Sequence, residues 1–254
     1  MPTYRLTVSY LGTPFAGWQV QRGKDTVQGR LQAALRTVLG EETAVIGAGR
    51  TDAGVHARAQ VAHVRTPQSC PASRLRVALN SLLPQEIRLE KVTRSRDSFH
   101  ARHDAAGKHY RYLLHVGRKP SPFEAGLVGR VTGPPPDLES MRRAASYLVG
   151  EHDFSAFCGA GTAIRDRRRR VTRLDLWRRG DTIGFEVEGN GFLRHQVRNM
   201  VGTLVEVGQG RRAPGSMRRL LASRDRRQAG ATAPAAGLCL MQVRYRRAPR
   251  VTRR

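Results

Sequence analysis

The sequence predicts an α+β protein built from two ferredoxin-like (split β-α-β) domains with antiparallel sheets. Three observations lead there. A β-α-β-β-α-β order fills residues 1–105, the same order recurs in residues 106–254, and the pattern breaks near Ala105 to Gly107. A single α/β barrel would need eight alternating strand and helix pairs, which this chain lacks. No residue-level repeat relates the two halves.

Each element has its own signal. Tyr4 to Tyr10 alternates at period two, and Asp25 with Gln28 three residues later marks a helix start before Val27, Leu31, Leu35 and Val38 at helical spacing. A strand is expected at Thr43 to Gly47 and another at Ala59 to Arg65. A helix follows from Pro71 to Leu83, carrying Leu75, Leu79 and Leu82, then a strand near Ile87 to Thr93. In the second half Lys108 to Val116 alternates, and Asp137 to Val149 is an amphipathic helix stopped by Gly150. Val171 to Trp177 and Thr182 to Glu188 flank the hairpin signal Arg179-Gly180-Asp181. Leu193 to Val207 reads as a helix ended by Gly208, and Leu238 to Tyr245 supplies the last strand. Gly117 to Pro136 and Gly159 to Arg170 read as surface insertions, and the basic tail from Arg246 to Arg254 has no periodic pattern.

Composition narrows the partners. The 254 residues carry a formal charge of +25, and of 45 basic residues only Lys24, Lys91, Lys108 and Lys119 are lysines. Guanidinium forks suit phosphates and base edges, so the charge points to a nucleic acid before a membrane, although arginine enrichment can also follow genomic base composition. Cys70, Cys158 and Cys239 have neither zinc nor redox spacing. With no signal peptide or membrane-length apolar run, a cytoplasmic protein is expected. The histidines lack companions at ligand spacing, and Gly12, Gly17 and Gly23 form no dinucleotide fingerprint, so neither metal nor cofactor is expected.

The densest chemical signal is Gly49-Arg50-Thr51-Asp52-Ala53-Gly54-Val55-His56-Ala57, a carboxylate among small residues beside an arginine. Capping a turn is the ordinary use of a loop aspartate, but no sustained helix follows this one. An arginine nearby, Arg50 or a distant one, lowers a carboxylate's pKa and keeps it ready to attack carbon. Glycoside hydrolysis normally needs a second carboxylate, and none stands out; a nucleobase leaving group does not require one, because donors can stabilise its anion. Phe99-His100-Ala101-Arg102 and Lys108 to Tyr112 interleave aromatics with bases, as a base-stacking surface would, though Tyr110 and Tyr112 fit a core equally well. Arg194 and Arg198 fall four apart on the expected helix, either as a solvated face or, for Arg198, as a partner for Asp52 from the other domain.

Taken together, Phe15-Ala16-Gly17-Trp18-Gln19, Thr26-Val27-Gln28, the Gly49 to His56 run, Phe99 to Arg102, Tyr110-Arg111-Tyr112, Val197 to Gly202 and Ala233 to Leu238 resemble the TruA family of tRNA pseudouridine synthases. The resemblance spans nearly the whole chain. It implies two domains joined around a central basic cleft, a homodimer, no cofactor, and isomerisation of uridine to pseudouridine at positions 38, 39 and 40 of the tRNA anticodon stem-loop. By the same resemblance Asp52 is the essential catalytic group, Tyr110 stacks on the base, Arg198 pairs with the aspartate and Arg50 holds the opened RNA. The run from Arg165 to Arg170, with Arg168 and Arg169, is more basic than the family pattern and is expected, with Arg194, to touch RNA.

Overall fold

The computed structural model describes residues 1–117, 119–161 and 164–246; the tail expected to be unpatterned lies, from residue 247, outside the described residues. The first half runs β1 (Thr3–Tyr10), α1 (Val27–Leu39), β2 (Ile46–Gly47), β3 (His56–Arg65), α2 (Ala72–Leu82) and β4 (Ile87–Ser95). The second runs β5 (Ala105–His115), β6 (Gly129–Arg130), α3 (Leu138–Ser146), β7 (Gly150–Asp153), β8 (Arg168–Arg179) and β9 (Thr182–Gly189), then α4 (Gln196–Gly208), α5 (Ser216–Ser223) and β10 (Leu238–Tyr245). All described strands join one sheet ordered β4-β1-β3-β10-β5-β9-β8-β7, with β2 on β3 and β6 on β5. Within it β4-β1-β3-β2 and β10-β5-β9-β8 have the same strand order, and within each quartet every pairing is antiparallel. That is the split β-α-β sheet, present twice.

The two quartets meet where β10 runs parallel to the start of β3, Cys239 opposite His56 and Leu240 opposite Ala57. The join is short because β2 occupies the same edge further along, Ile46 opposite His63 and Gly47 opposite Ala62.

Periodicity explains the packing. Tyr4, Leu6, Val8 and Tyr10 of β1 bury one face with Val27, Leu31 and Leu35 of α1 and Leu75 and Leu79 of α2. On β5, Tyr110, Tyr112 and Leu114 share a buried face, while Met141, Ala144 and Ala145 of α3 and Val197, Met200, Val201 and Leu204 of α4 supply the helix layer. Burying such side chains contributes about 1.5–3 kcal/mol each, set against the entropy of ordering the chain.

Several elements differ from the sequence reading. The cap of α1 is Thr26, whose hydroxyl accepts from Gly29 N–H, because both oxygens of Asp25 are taken by Arg30 at 2.8 and 2.7 Å. Gln28 is no capping partner; it accepts from Val20 N–H and donates to Val45 O. The strand expected from Thr43 shrinks to two residues. Helix α3 stops at Ser146, four residues before Gly150, and α4 starts three residues later than expected, because His195 adopts a left-handed conformation (φ 60°). The basic run is not all surface loop: Arg168, Arg169 and Arg170 open β8 and pair with β7. Nor is Gly117 to Pro136 all insertion, since β6 pairs in parallel with Leu114 and His115. Phe99 is core, packed 5.3 Å from the Tyr245 ring, so it offers no stacking surface.

One buried histidine makes a pH prediction. His63 of β3 accepts Ala101 N–H through Nδ1 (3.1 Å), and its Nε2 is buried without a partner among the described residues. Burial, with repulsion from His100 and Arg65, lowers its pKa from 6.5 to about 4. As pH falls, the unfolded chain therefore takes up the proton first. This contribution to stability is complete above 6.5 and is lost as pH falls from 6.5 toward about 4. Replacing His63 by Gln should flatten that part of the profile in urea unfolding across the window; an unchanged profile would assign the loss to other groups.

Candidate active site

Beyond Gly47 the chain makes one more bond along β3, Ala48 N–H to Val61 O at 2.7 Å, and then leaves the edge. The departing loop carries Asp52. Its turn closes with Val55 N–H donating to Asp52 O (3.1 Å), and Gly54 supplies the left-handed corner at φ 76°. Gly17, at φ 98°, lies so close that a Cβ there would be 2.7 Å from Thr51 O. Thr51 is held twice, through Trp18 N–H to its carbonyl and through the Tyr10 hydroxyl at 2.8 Å from its own. At the loop's end His56 ties three segments together. Its Nδ1 accepts from Gly12 N–H and its Nε2 lies 3.1 Å from Ala236 O, an arrangement satisfied by the neutral ring, which burial also favours by lowering its pKa.

Onto this loop α4 projects Arg198. Its Nη1 donates to Asp52 Oδ2 at 3.2 Å and its Nε to Ala233 O at 2.8 Å, while Ala233 N–H returns to Arg198 O. The segment bearing Ala233 is itself fixed, since Thr232 and Arg226 both donate to Asn199 Oδ1 of the same helix. Close approach there needs Gly202, where a Cβ would sit 1.8 Å from Ala231 O. Arg198 therefore reaches Asp52 from a fixed base.

His195, which the sequence reading did not single out, is the second neighbour, with Nε2 3.6 Å from Asp52 Oδ2. Its left-handed backbone is rare for a residue with a side chain. The ring packs over Gly159, where a Cβ would lie 2.8 Å from Nδ1. Burial lowers its pKa, Asp52 raises it, and Arg198, Arg194 and Arg226 lower it, with a net downward shift. At neutral pH the imidazole is uncharged, so it adds a polar edge and no second positive charge. The sequence places it inside the helix expected from Leu193 to Val207 and gives it no signal of its own.

The other site residues separate. Tyr110 is buried to 7% exposure, stacks edge-on against Phe192 at 5.4 Å, and its hydroxyl makes no hydrogen bond among the described residues. Burial, with Tyr10 and Asp52 nearby, raises its pKa, so the phenol keeps its proton. Tyr112 is core, its hydroxyl donated to Pro234 O. Arg50 does not join Asp52; it is exposed, and its Nε donates to Gln19 Oε1 at 3.1 Å. Arg194 lies in the turn before α4 and donates to Ala160 O, so it does not share a helix face with Arg198. Arg168 is exposed, 3.7 Å from Glu151, and lines a cleft of about 510 Å³ with Asp153 and Arg224, where none of the residues around Asp52 appears. Arg169 is half-buried in β8 and donates to the carbonyls of Asp166 and Arg168.

A carboxylate clamped by an arginine at the seam of two ferredoxin-like half-sheets, in so basic a chain, defines an α+β enzyme working on a polyanion. Comparison with known proteins makes this specific. A family profile described as tRNA pseudouridine synthase matches residues 6–104 and 144–246. The tRNA pseudouridine synthase A of Brevibacillus brevis is 46% identical over 245 residues, covering 96% of this chain and all of that protein. The Moorella thermoacetica protein of the same name is 45% identical over 247 residues, with 96% and 100% coverage. The Myxococcus xanthus one is 42% identical over 250 residues, with 98% and 94% coverage. The chain belongs to the tRNA pseudouridine synthase family.

The charge arrangement is open to direct measurement. Because Asp52 draws the His195 pKa up and Arg198 presses it down, Asp52→Ala should lower the titration midpoint of His195 and Arg198→Met should raise it. Histidine NMR titration reads both, and shifts of the opposite sign would contradict this geometry.

Proposed function

We propose that this protein isomerises uridine to pseudouridine in tRNA, at positions 38, 39 and 40 of the anticodon stem-loop, with Asp52 as the essential catalytic group. The observation that carries the reading is the Asp52 carboxylate held by Arg198 on a glycine-bordered loop, with the unshared hydroxyl of Tyr110 close by. The reaction breaks the bond between N1 of the base and C1′ of the sugar, turns the base, and forms a bond from C5 to C1′. The proton on C5 leaves and N1 gains one, so the formula is unchanged and no redox partner is needed.

The residues suit those steps. Asp52 acts at the glycosidic bond, and Arg198 fixes its orientation. Tyr110 presents an aromatic edge and a protonated hydroxyl to the base. A uridine in or beside a stem must leave the stack first, at a cost of a few kcal/mol, which contacts between arginines and phosphates offset. Exposed Arg50, free of Asp52, fills the space the nucleotide vacates.

Unmodified tRNA labelled with tritium at C5 of its uridines provides the test. The parent should release tritium to water, while Asp52→Ala should lose turnover by at least about 10³-fold and bind tRNA as well or better, having shed a negative charge. No release by the parent, with binding intact, would leave an RNA-binding protein and overturn the reading.

We further propose two domains, residues 1–105 and 106–254, acting within a homodimer that shares a basic cleft. Sedimentation over a range of concentrations should give twice the chain mass of 28.2 kDa. A persistent monomer would count against the shared cleft.

A further inference from the structure

Strand β5 carries a second chemical group on the face that presents Tyr110. At period two Lys108 lies one step back along that face, opposite Gly189 of β9 and Val243 of β10. Its ammonium sits directly over Gly49, the first residue of the Asp52 run: a Cβ built there would be 2.5 Å from Nζ. Glycine at position 49 lets the ammonium rest there without shifting.

Lys108 is only partly exposed, and it makes no hydrogen bond or ion pair among the described residues. The carboxylates on the neighbouring segments are engaged elsewhere. Glu188 of β9 is held by Arg173 at 3.4 Å and by Arg244 of β10 at 2.5 Å. Asp104, before β5, is held by Arg96 at 2.8 Å, and Asp52 by Arg198. Arg50, beside Gly49, turns away to Gln19. The charged groups that act on Lys108 are Arg102, before β5, and Arg169 of β8, and both repel it. With burial as the main cause, they bring its pKa down from 10.5 to about 8. A cation desolvated and repelled without a counter-charge is unfavourable in the free protein, and it becomes favourable when an anion arrives.

We propose that Lys108, flanked by Arg102 and Arg169 and seated over Gly49, binds one phosphate of the RNA backbone next to the uridine engaged by Asp52. Gly49 and Asp52 are three residues apart, a span of at most about 11 Å, so the anion would flank the extruded nucleotide. The inference rests on the RNA-modifying reading above, and it assigns to one lysine a contact that the summed charge of the chain leaves unplaced.

Lys108→Met and Lys108→Arg test it, with fluorescently labelled unmodified tRNA titrated against each protein over a range of salt and pH. Lys108→Met should weaken binding by roughly 10-fold and flatten the salt dependence by about one phosphate contact, a slope change of roughly 0.7–0.9. Lys108→Arg should keep the parent slope. As pH rises through about 8 the parent should lose affinity as the lysine discharges, whereas the arginine variant should not. Thermal unfolding of Lys108→Met should match or exceed the parent, because no partner is orphaned. Unchanged affinity and slope in Lys108→Met, while the parent binds and isomerises, would overturn the proposal. So would inorganic phosphate at matched ionic strength displacing tRNA from Lys108→Met as well as from the parent. A parent that binds tRNA but releases no tritium would instead sink the isomerase reading, and the salt slopes would still decide the phosphate site.

Discussion

The edge of β3 is shared by two strands, and the rest of the architecture depends on that division. β2 takes the edge opposite Ala62 and His63, and β10 takes it opposite His56 and Ala57. Had the chain after Gly47 stayed on the edge, it would have filled the pairing positions that β10 uses, and the second half-sheet would have no seat. Leaving at Gly49 does two things at once. It frees backbone donors and acceptors for β10, and it lifts the Asp52 loop over the junction so formed. His56 closes the arrangement, bonding backward to Gly12 and across to Ala236, so the fold's seam and the site's floor are one structure.

Magnitudes show what the Asp52–Arg198 pair is for. Asp52 keeps 28% of its side chain exposed, and pairs with that much solvent are worth only about 0–1 kcal/mol. Stability does not require it. What the pair provides is position: Arg198 is tied by Nε to Ala233 O, and that segment is tied through Thr232 and Arg226 to Asn199 on the same helix. A carboxylate of the first half is thereby held in place by a closed hydrogen-bond circuit belonging to the second. A neutral His195 fits this logic, because a charged one would compete with Arg198 for the same oxygen.

Much of this is legible in the sequence where periodicity carries information. β1 alternates because one face is buried, β10 alternates as far as Leu240 before its register against β5 shifts, and α1 shows its apolar stripe, so their limits fall within a residue or two of those the pattern predicts. β7 (Gly150–Asp153) is invisible because GEHD, at the sheet's margin, has no buried face to announce itself. α5 is eight residues long with only Met217 and Leu220 buried, too little for a stripe. The site divides in the same way. Asp52 stands out because its residue type and surroundings are unusual, whereas Tyr110 fits a core equally well and is picked out only by the family resemblance. Arg50, two residues from Asp52, looks like its partner in the sequence, yet loop geometry has no period and the side chains diverge. His195 and Lys108 owe their settings to left-handed backbone at one position and to a missing Cβ on another segment, at Gly159 and Gly49, which no local pattern encodes.

Burial also constrains how the proposed chemistry can run. Tyr110 is enclosed by Phe192 and the sheet, with Tyr10 and Asp52 close, and each of these disfavours the phenolate. A phenol kept neutral can donate a hydrogen bond to the turning base and give it an aromatic edge. It cannot act as a ready-made base for the C5 proton, because accepting that proton would require it to pass its own onward in the same step. Arg198 has no proton to exchange, and in the proposed reaction Asp52 is committed to the glycosidic bond. The C5 proton is lost only after the new carbon bond has formed and the ring needs to regain its aromatic character, when the carbon acid is strong and a weak acceptor suffices. On the proposed reading Asp52 serves the difficult step at the glycosidic bond, and the easier proton transfer runs to water or the released carboxylate with the neutral phenol alongside.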